Sequence, residues 1–290
     1  MKKLNNLAYR VSFISIIINV FLSIIKFIAG VIGNSSAMIS DAIHSLSDVI
    51  STFVVIIGIY ASKKEADEKH RYGHERYECI SAIILSFILL LTGLYVGYNG
   101  IKSLIDKSYL DNNITYYALV AAIVSIVVKE WMYHYTIKVA KKINSSSLKA
   151  DAWHHRSDAL SSFGALIGIG GAMLGYKFLD PIASIIICIF IVKAAIDIMK
   201  ESFDKVMDVS LDDFKIEKIK NIVLKEEGVK RIDDIKTRIF GNKAYIDLEI
   251  AVDGNMTLNA AHNIAEKVQD KIEEELKECK HCMVHVNPYE

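Results

Sequence analysis

The chain has 290 residues, of which 52% are hydrophobic and 23% charged, and its formal net charge is zero. Zero net charge argues against a nucleic-acid partner. The four cysteines do not form the dense framework of a small secreted domain stapled by disulfides. Charged residues cluster at the N-terminus, in a few loops and in the last third of the chain. This distribution predicts a membrane part followed by a soluble part.

Long apolar segments dominate the first two thirds of the chain. A helix that spans a bilayer needs about 20 mostly apolar residues. We therefore predict a polytopic α-helical membrane protein with six transmembrane helices. Their predicted bounds are 11–32, 37–61, 78–105, 114–140, 147–174 and 181–200. Two longer charged breaks, 62–77 and 138–146, interrupt the series.

Lysine and arginine placement predicts the orientation of these helices. Most basic residues that flank the apolar segments lie at the N-terminus, in the 62–77 loop and in the 138–149 segment, whereas the opposite loops hold only Lys102, Lys107 and Lys177. Loops rich in Lys and Arg face the cytoplasm. We therefore predict that the N- and C-termini are both cytoplasmic.

The last third of the chain reads as a small soluble domain. A polar helical segment and a strand precede the hairpin signal Gly241-Asn242, and a second alternating strand, an amphipathic helix and a last strand follow it. The predicted bounds are 212–227, 229–240, 243–252, 258–277 and 281–287. The order αββαβ predicts a cytoplasmic α+β domain of ferredoxin-like type. We divide the chain into a six-helix transport domain at 1–205 and a metal-binding and dimerisation domain at 206–290.

Two His-x-x-x-Asp pairs lie inside apolar segments. They are His44 with Asp48 and His154 with Asp158. A spacing of four places both side chains of a pair on one helix face. Ionisable residues at membrane depth are costly, so each marks a functional site by default. A single buried histidine is as often a satisfied core residue, but the repeated pattern favours a four-ligand site for a divalent metal such as zinc.

An aspartate precedes each histidine by three residues. Asp41 and Asp151 therefore lie on the same stripes as the two pairs. They are candidates for a supporting shell, a gate or an interfacial position, and the spacing alone does not choose among these.

The chain resembles the cation diffusion facilitator family over nearly its whole length. The most specific pieces are HSLSD at 44–48, HHRSD at 154–158 and HRYGHERYE at 70–78. The resemblance implies a cation efflux transporter rather than an enzyme, with His44, Asp48, His154 and Asp158 as the transport site. A set with histidine in both pairs is the zinc type of this family. Ligand chemistry agrees, because imidazole suits zinc better than manganese.

The resemblance and the ligand chemistry together predict Zn²⁺/H⁺ antiport that exports zinc from the cytoplasm. Neutral His and ionised Asp bind metal, and their protonated forms do not, so protons arriving from outside displace the metal. His154 and Asp158 are the expected proton carriers. The expected partners are divalent cations, protons, membrane lipid and a second copy of the chain, with no cofactor. The expected location is a bacterial-type plasma membrane.

Three other functions compete with zinc export. One is export of Mn²⁺, Fe²⁺ or Cd²⁺ through the same site. A second is a membrane metal sensor or scaffold that does not transport, although the intact ligand set argues against it. The third is an intramembrane zinc hydrolase, which the absence of His-Glu-x-x-His disfavours.

The resemblance also implies metal sites outside the membrane and a dimer-junction ion pair. The cytoplasmic loop supplies Asp67, His70 and His74, whose alternative role is an ordinary solvated loop. Arg76 and Asp204 match the family's basic residue and its acidic partner at the dimer junction. The candidate ligands in the C-terminal domain are Asp233, Asp247, His262 and His285.

Two cysteines near the C-terminus fall outside the family pattern. Cys279 and Cys282 form a Cys-x-x-Cys motif. One such motif is half of a zinc site, so metal binding, redox activity and inertness all stay open.

Overall fold

The computed structural model describes residues 2–32, 36–107, 116–173, 176 and 178–289, with some helical side chains left out. The chain divides into two compact units, Met1–Phe203 and Asp204–Glu290. Each unit is built on its own core, and the two are described separately below.

Helices make up the described part of the first unit. Their bounds are α1 Lys2–Ile32, α2 Ser36–Ala61, α3 Arg76–Asp106, α4 Tyr116–Ile143, α5 Ser146–Met173 and α6 Leu179–Val206, the last of which runs on past the unit boundary. Each predicted apolar segment lies within one of these helices over its described residues. Among those residues, Leu7–Ile28 and Arg76–Asp106 are long and apolar enough to cross a membrane.

The second charged break was predicted too long. Most of 138–146 is helical, because α4 continues to Ile143 and α5 begins at Ser146. Asn144 adopts a left-handed conformation with φ of 53°, which ends α4. The hydroxyl of Ser145 then accepts a hydrogen bond from the backbone N–H of Leu148 at 3.3 Å and caps α5. The lysines in the last turn of α4 suit the negative end of the helix dipole, so charge there did not signal a loop.

The first unit mixes polar and apolar side chains in its interior and exposes many large apolar side chains. Large apolar side chains such as Phe13 on α1 and Phe87 on α3 are exposed. Buried positions between the helices carry many hydroxyl groups, and the hydroxyls of Ser81 and Ser147 lie 2.5 Å apart where α3 meets α5. This distribution suits a unit whose surroundings are apolar.

Small residues let α3 approach α6 closely. Gly93 and Gly100 lie on one face of α3. A Cβ atom at Gly93 would lie 2.8 Å from Ile191, and one at Gly100 would lie 2.9 Å from the carbonyl oxygen of Pro181. Any larger residue at these positions would push the two helices apart, as is usual where membrane helices pack through small residues.

The second unit is an α+β domain. Its elements are α7 Asp213–Val223, β1 Arg231–Phe240, β2 Lys243–Asp253, α8 Leu258–Glu275 and β3 Cys279–Tyr289. The sheet order is β1-β2-β3, with β1 and β2 antiparallel and β2 and β3 parallel. The αββαβ order agrees with the prediction, and α8 supplies the crossover that the parallel pair requires.

Alternation along β2 positions the core of this domain. Ile246, Leu248 and Ile250 are buried and pack with Val268 and Ile272 of α8. The residues between them in β2 point to the opposite face of the sheet. Side chains cap both helices, since Asp212 accepts from the backbone N–H of Lys215 and Thr257 accepts from that of Ala260.

Candidate functional site

Helices α2 and α5 bring three of the four predicted transport ligands together. One ligand atom from each of Asp48, His154 and Asp158 lies within 4.8 Å of the others. The Nε2 atom of His154 is 3.2 Å from Oδ1 of Asp48, and all three side chains are buried. Two carboxylates and an imidazole in this arrangement are a competent ligand set for a divalent cation.

The fourth predicted ligand, His44, lies one turn before Asp48 on α2. Its side chain, like that of Asp41, lies outside the part of the chain that the structure describes. The assignment of His44 to the transport site therefore stays a prediction.

A lysine from α4, which is not among the ligands predicted from the sequence, enters the same cluster. The Nζ atom of Lys129 donates to Oδ2 of Asp48 at 2.5 Å and to Oδ2 of Asp158 at 2.8 Å. Lys129 is only 1% exposed. A fully buried lysine needs acidic partners. The position of Lys129 within an apolar helix was therefore the feature of the sequence that could have predicted its place in a charged cluster. The sequence could not say which acids it would meet.

Asp151 belongs to a neighbouring cluster and not to the triad formed by Asp48, His154 and Asp158. Its Oδ1 accepts a hydrogen bond from the hydroxyl of Thr52 at 3.4 Å, and its Oδ2 lies 3.6 Å from Nε2 of His155. Both Asp151 and His155 are fully buried. Thr52 lies one turn after Asp48 along α2, so this cluster sits one helical turn from the triad.

The loop between α2 and α3 gathers a second candidate ligand set. Asp67 places its Oδ1 3.3 Å from Nδ1 of His70 and its Oδ2 3.4 Å from Nε2 of His74. The Nδ1 atom of His74 lies 3.2 Å from the carbonyl oxygen of Lys64 and 3.1 Å from that of Glu65. A proton on Nδ1 satisfies these carbonyls, which leaves Nε2 facing Asp67 as a ligand atom.

Asp67 is well suited to stay ionised. Lys64 donates to its Oδ2 at 2.7 Å, and the backbone N–H of His70 donates to its Oδ1 at 2.7 Å. These hydrogen bonds, with Lys64 the larger influence, hold the pKa of Asp67 well below its usual range. The carboxylate is therefore available to a cation across the physiological pH range.

The predicted ligands of the C-terminal domain do not converge within one chain. Asp247 is exposed on the open face of the sheet, whereas His262 is exposed on α8. Asp233 lies at a β-bulge, where Arg231 donates to it at 2.6 Å and Asn287 at 3.0 Å. His285 is exposed on β3 beside Glu249 of β2. Among the described residues of this domain, no three of these side chains form a metal-competent group.

The Cys-x-x-Cys pair is part of the hydrophobic core. Cys282 is fully buried, and Cys279 packs against the same cluster. Burial raises the pKa of the Cys282 thiol to about 12 and that of the Cys279 thiol to about 11. Because the thiolate is the nucleophilic form, these raised pKa values make both thiols weak nucleophiles near neutral pH.

The predicted ion pair of Arg76 and Asp204 joins residues of the two units. Arg76 is the first residue of α3, and Asp204 is the first residue of the second unit. The pairing stays a prediction.

Two family models together cover almost the whole chain. The cation efflux transmembrane domain matches residues 12–207, and the cytoplasmic domain of cation efflux proteins matches residues 211–289. The chain belongs to the cation efflux family. It is therefore an integral membrane transporter and not an enzyme.

Two relatives from Bacillus subtilis match this cation efflux protein along nearly their full length. The manganese efflux system protein MneP of Bacillus subtilis is 33% identical, over 97% of this chain and 96% of its own. The uncharacterized transporter YdbO of the same organism is 35% identical, over 93% and 91%. A solved structure of MamM-CTD is 23% identical and covers 26% of this chain and 99% of its own, with a TM-score of 0.24.

Family membership gives the buried cluster its setting. Asp48, Lys129, His154 and Asp158 all lie within the transmembrane domain of a cation efflux protein. Buried charges are costly in a membrane, and members of this family move cations. The cluster is therefore the candidate site for the transported cation.

Proposed function

We propose that this cation efflux protein is a Zn²⁺/H⁺ antiporter that exports zinc from the cytoplasm. The observation that carries the proposal is the buried cluster of Asp48, His154 and Asp158 within the transmembrane domain. Six membrane-spanning helices, cytoplasmic termini, a bacterial-type plasma membrane and a homodimer complete the proposal. The placement of Lys and Arg in the loops supports this orientation.

The chemistry of the ligand set supports both the choice of zinc and the coupling of zinc export to proton import. His154 supplies a nitrogen ligand and the two aspartates supply oxygens, a mixture that zinc accepts, and His44 completes a tetrahedral set. The same atoms bind metal only when they are deprotonated. Protons from the outer side therefore compete for the ligands and release the metal, with His154 and Asp158 as the carriers.

Manganese is a second candidate substrate. The relative MneP is named as a manganese efflux protein at 33% identity. Two of the three described ligands are carboxylates, and oxygen ligands suit Mn²⁺. Fe²⁺ and Cd²⁺ are further cations that such a site can hold, and a sensor or scaffold without transport is the alternative of another class.

Flux into proteoliposomes tests the proposal. The purified chain is reconstituted, and uptake of Zn²⁺, Mn²⁺, Fe²⁺ and Cd²⁺ is followed with and without a pH gradient. We expect zinc flux that depends on the gradient and is lost in His154→Ala and His44→Ala. The control His134→Ala changes an exposed histidine of α4, which lies 3.3 Å from Glu130, and should transport normally.

Each outcome of this assay separates one part of the proposal. Equal flux in His44→Ala contradicts the four-ligand site. Flux that does not depend on the pH gradient contradicts antiport. Manganese flux that exceeds zinc flux identifies manganese as the substrate. If no cation is transported, a metal sensor or scaffold becomes the favoured function.

We also propose that the loop set Asp67, His70 and His74 binds a divalent cation. The separation of its ligand atoms and the orientation of His74 support this. Equilibrium binding of Zn²⁺ to the full chain should lose one site in His74→Ala. An unchanged number of sites would contradict the loop assignment.

A metal site in the cytoplasmic domain requires a second protomer. The four candidate ligands, Asp233, Asp247, His262 and His285, are dispersed in one chain, so they can share an ion only across a dimer. Arg76 and Asp204 would then lock the membrane halves at the dimer junction. Sedimentation of the full chain with and without Zn²⁺ should show a dimer that metal strengthens, and a metal-independent monomer would contradict this.

A further inference from the structure

Lys129 occupies the position that a transported cation needs. Its ammonium lies 2.5 Å from one carboxylate oxygen of Asp48 and 2.8 Å from one of Asp158. A divalent metal bound to those oxygens would lie about 2.0–2.2 Å from each of them. The two positions overlap, so ammonium and metal exclude one another from the space between the carboxylates.

The charges of the cluster give this exclusion an energetic meaning. Asp48 and Asp158 are both buried, and removing the partner of a buried charge is strongly destabilising. Lys129 offsets one of the two negative charges when no divalent ion lies between them. A divalent ion that enters offsets both, and it must first break two charge-assisted hydrogen bonds.

We propose that Lys129 is a tethered competing cation that sets the metal affinity of the transport site. This inference rests on the proposed transport function and adds a residue to it. Lys129 is held on α4, while the carboxylates lie on α2 and α5, so its effective concentration at the site is high and constant. It weakens metal binding enough for release. After the metal is released, Lys129 also offsets the charge of the carboxylates. The empty site can then return to its inward-facing state without two unpaired buried charges.

The substitution Lys129→Gln tests the competition. Glutamine keeps a long polar side chain but removes the charge, so metal no longer displaces a cation. We expect the Kd of the transport site for Zn²⁺ to fall by at least about tenfold, because hydrogen bonds to a charged group no longer have to be broken. The maximal transport rate should fall as well, because metal release and return of the empty site both become slower.

The measurement uses the full chain in nanodiscs. Zn²⁺ binding is followed by competition with a fluorescent chelator, and the binding component that His154→Ala removes identifies the transport site. Lys26→Gln is the matched control, since Lys26 is also buried but donates to the hydroxyl of Ser45 at 2.9 Å. The Kd of the Lys26→Gln variant for Zn²⁺ at the transport site should stay within about twofold of the wild-type value.

Lys129→Arg keeps the test decisive if the glutamine variant does not fold. A guanidinium presents two parallel donors to carboxylates and holds them more firmly than an ammonium. The Kd should therefore rise in Lys129→Arg, which gives the affinity order Gln, Lys, Arg from tightest to weakest. A merely structural lysine would lower the transport rate in both variants without tightening binding in either.

The outcomes separate this inference from the proposed function. A Kd that is unchanged or raised in Lys129→Gln, or unchanged or lowered in Lys129→Arg, overturns the inference while wild-type transport stands. Wild-type protein that neither binds nor carries any of the four cations overturns the proposed function instead.

Discussion

The two units of the protein distribute polarity differently. In the first unit the buried interior holds Asp48, Lys129 and Asp158, while apolar side chains such as Phe13 face outward. In the second unit the interior is largely apolar, with residues such as Ile246 fully buried, and most charges lie on the surface. Both units belong to one cation efflux chain.

The difference shows how the surroundings decide what a core contains. In water, burial of apolar area stabilises the fold, so the C-terminal domain has an apolar core. In lipid, an apolar surface has no reason to leave its surroundings, and polar side chains gather inside where they pair with one another. A buried charge cluster would thus be a liability in the second unit, whereas in the first it is the proposed functional centre.

Loss of one carboxylate from the membrane cluster should have the largest effect. Asp158→Asn removes a proposed ligand and leaves Lys129 with Asp48 as its carboxylate partner in the cluster. We expect metal flux to fall by more than the roughly 10–100-fold that loss of an outer-shell partner costs. Flux in proteoliposomes measures this, with His134→Ala as the control. Flux within threefold of the wild type would contradict the role of Asp158.

Loss of an apolar side chain should have the largest effect in the second unit. Leu248→Ala opens a cavity between β2 and the helices, where Leu248 is 1% exposed. We expect the domain to lose about 2–5 kcal/mol of stability. Hydrogen exchange at the β2 amides of the full chain reports this loss, while metal flux by the membrane unit should persist. Unchanged exchange rates would show that Leu248 is not part of a tight core.

The same substitution on the two surfaces should give different results. Leu91 of α3 is exposed at the middle of an apolar helix, and Leu258 is exposed at the start of α8. Leu91→Asp should cost about 2.5–3.5 kcal/mol of membrane insertion. Leu258→Asp should change stability by less than about 0.5 kcal/mol. Membrane yield and thermal melting compare the two, and equal effects would contradict the difference between the surfaces.

Ionisation of the two thiols of the second unit should have the smallest effect on the protein near neutral pH. The pKa of Cys279 is raised to about 11 and that of Cys282 to about 12, so folding favours the neutral thiols. Their contribution to stability is present below about pH 9 and is lost as the pH rises through 11 to 12. At pH 8, alkylation of Cys279 should be about 100-fold slower than that of an unperturbed thiol. Peptide mapping after alkylation measures this, and fast labelling of Cys279 at pH 8 would contradict its raised pKa.

Several features of the fold follow from local pattern. Apolar runs predict the helices of the first unit, and alternation such as that in KAYIDLEIAV predicts β2. The break between α4 and α5 was misjudged, because lysines at the end of a helix resemble a charged loop when only composition is considered. Helix spacing predicted that His154 and Asp158 would share one face of α5, but spacing within a helix could not show that this face meets Asp48 of α2.

Local patterns in the chain were enough to predict the family, the order of the elements and the candidate ligands, because periodicity and short motifs are local properties of a chain. Only the tertiary structure placed Lys129 between Asp48 and Asp158, and only it separated Asp151 from the triad. Residues from α2, α4 and α5 meet there through helix packing, and packing depends on the shapes of whole helices rather than on the spacing within any one of them.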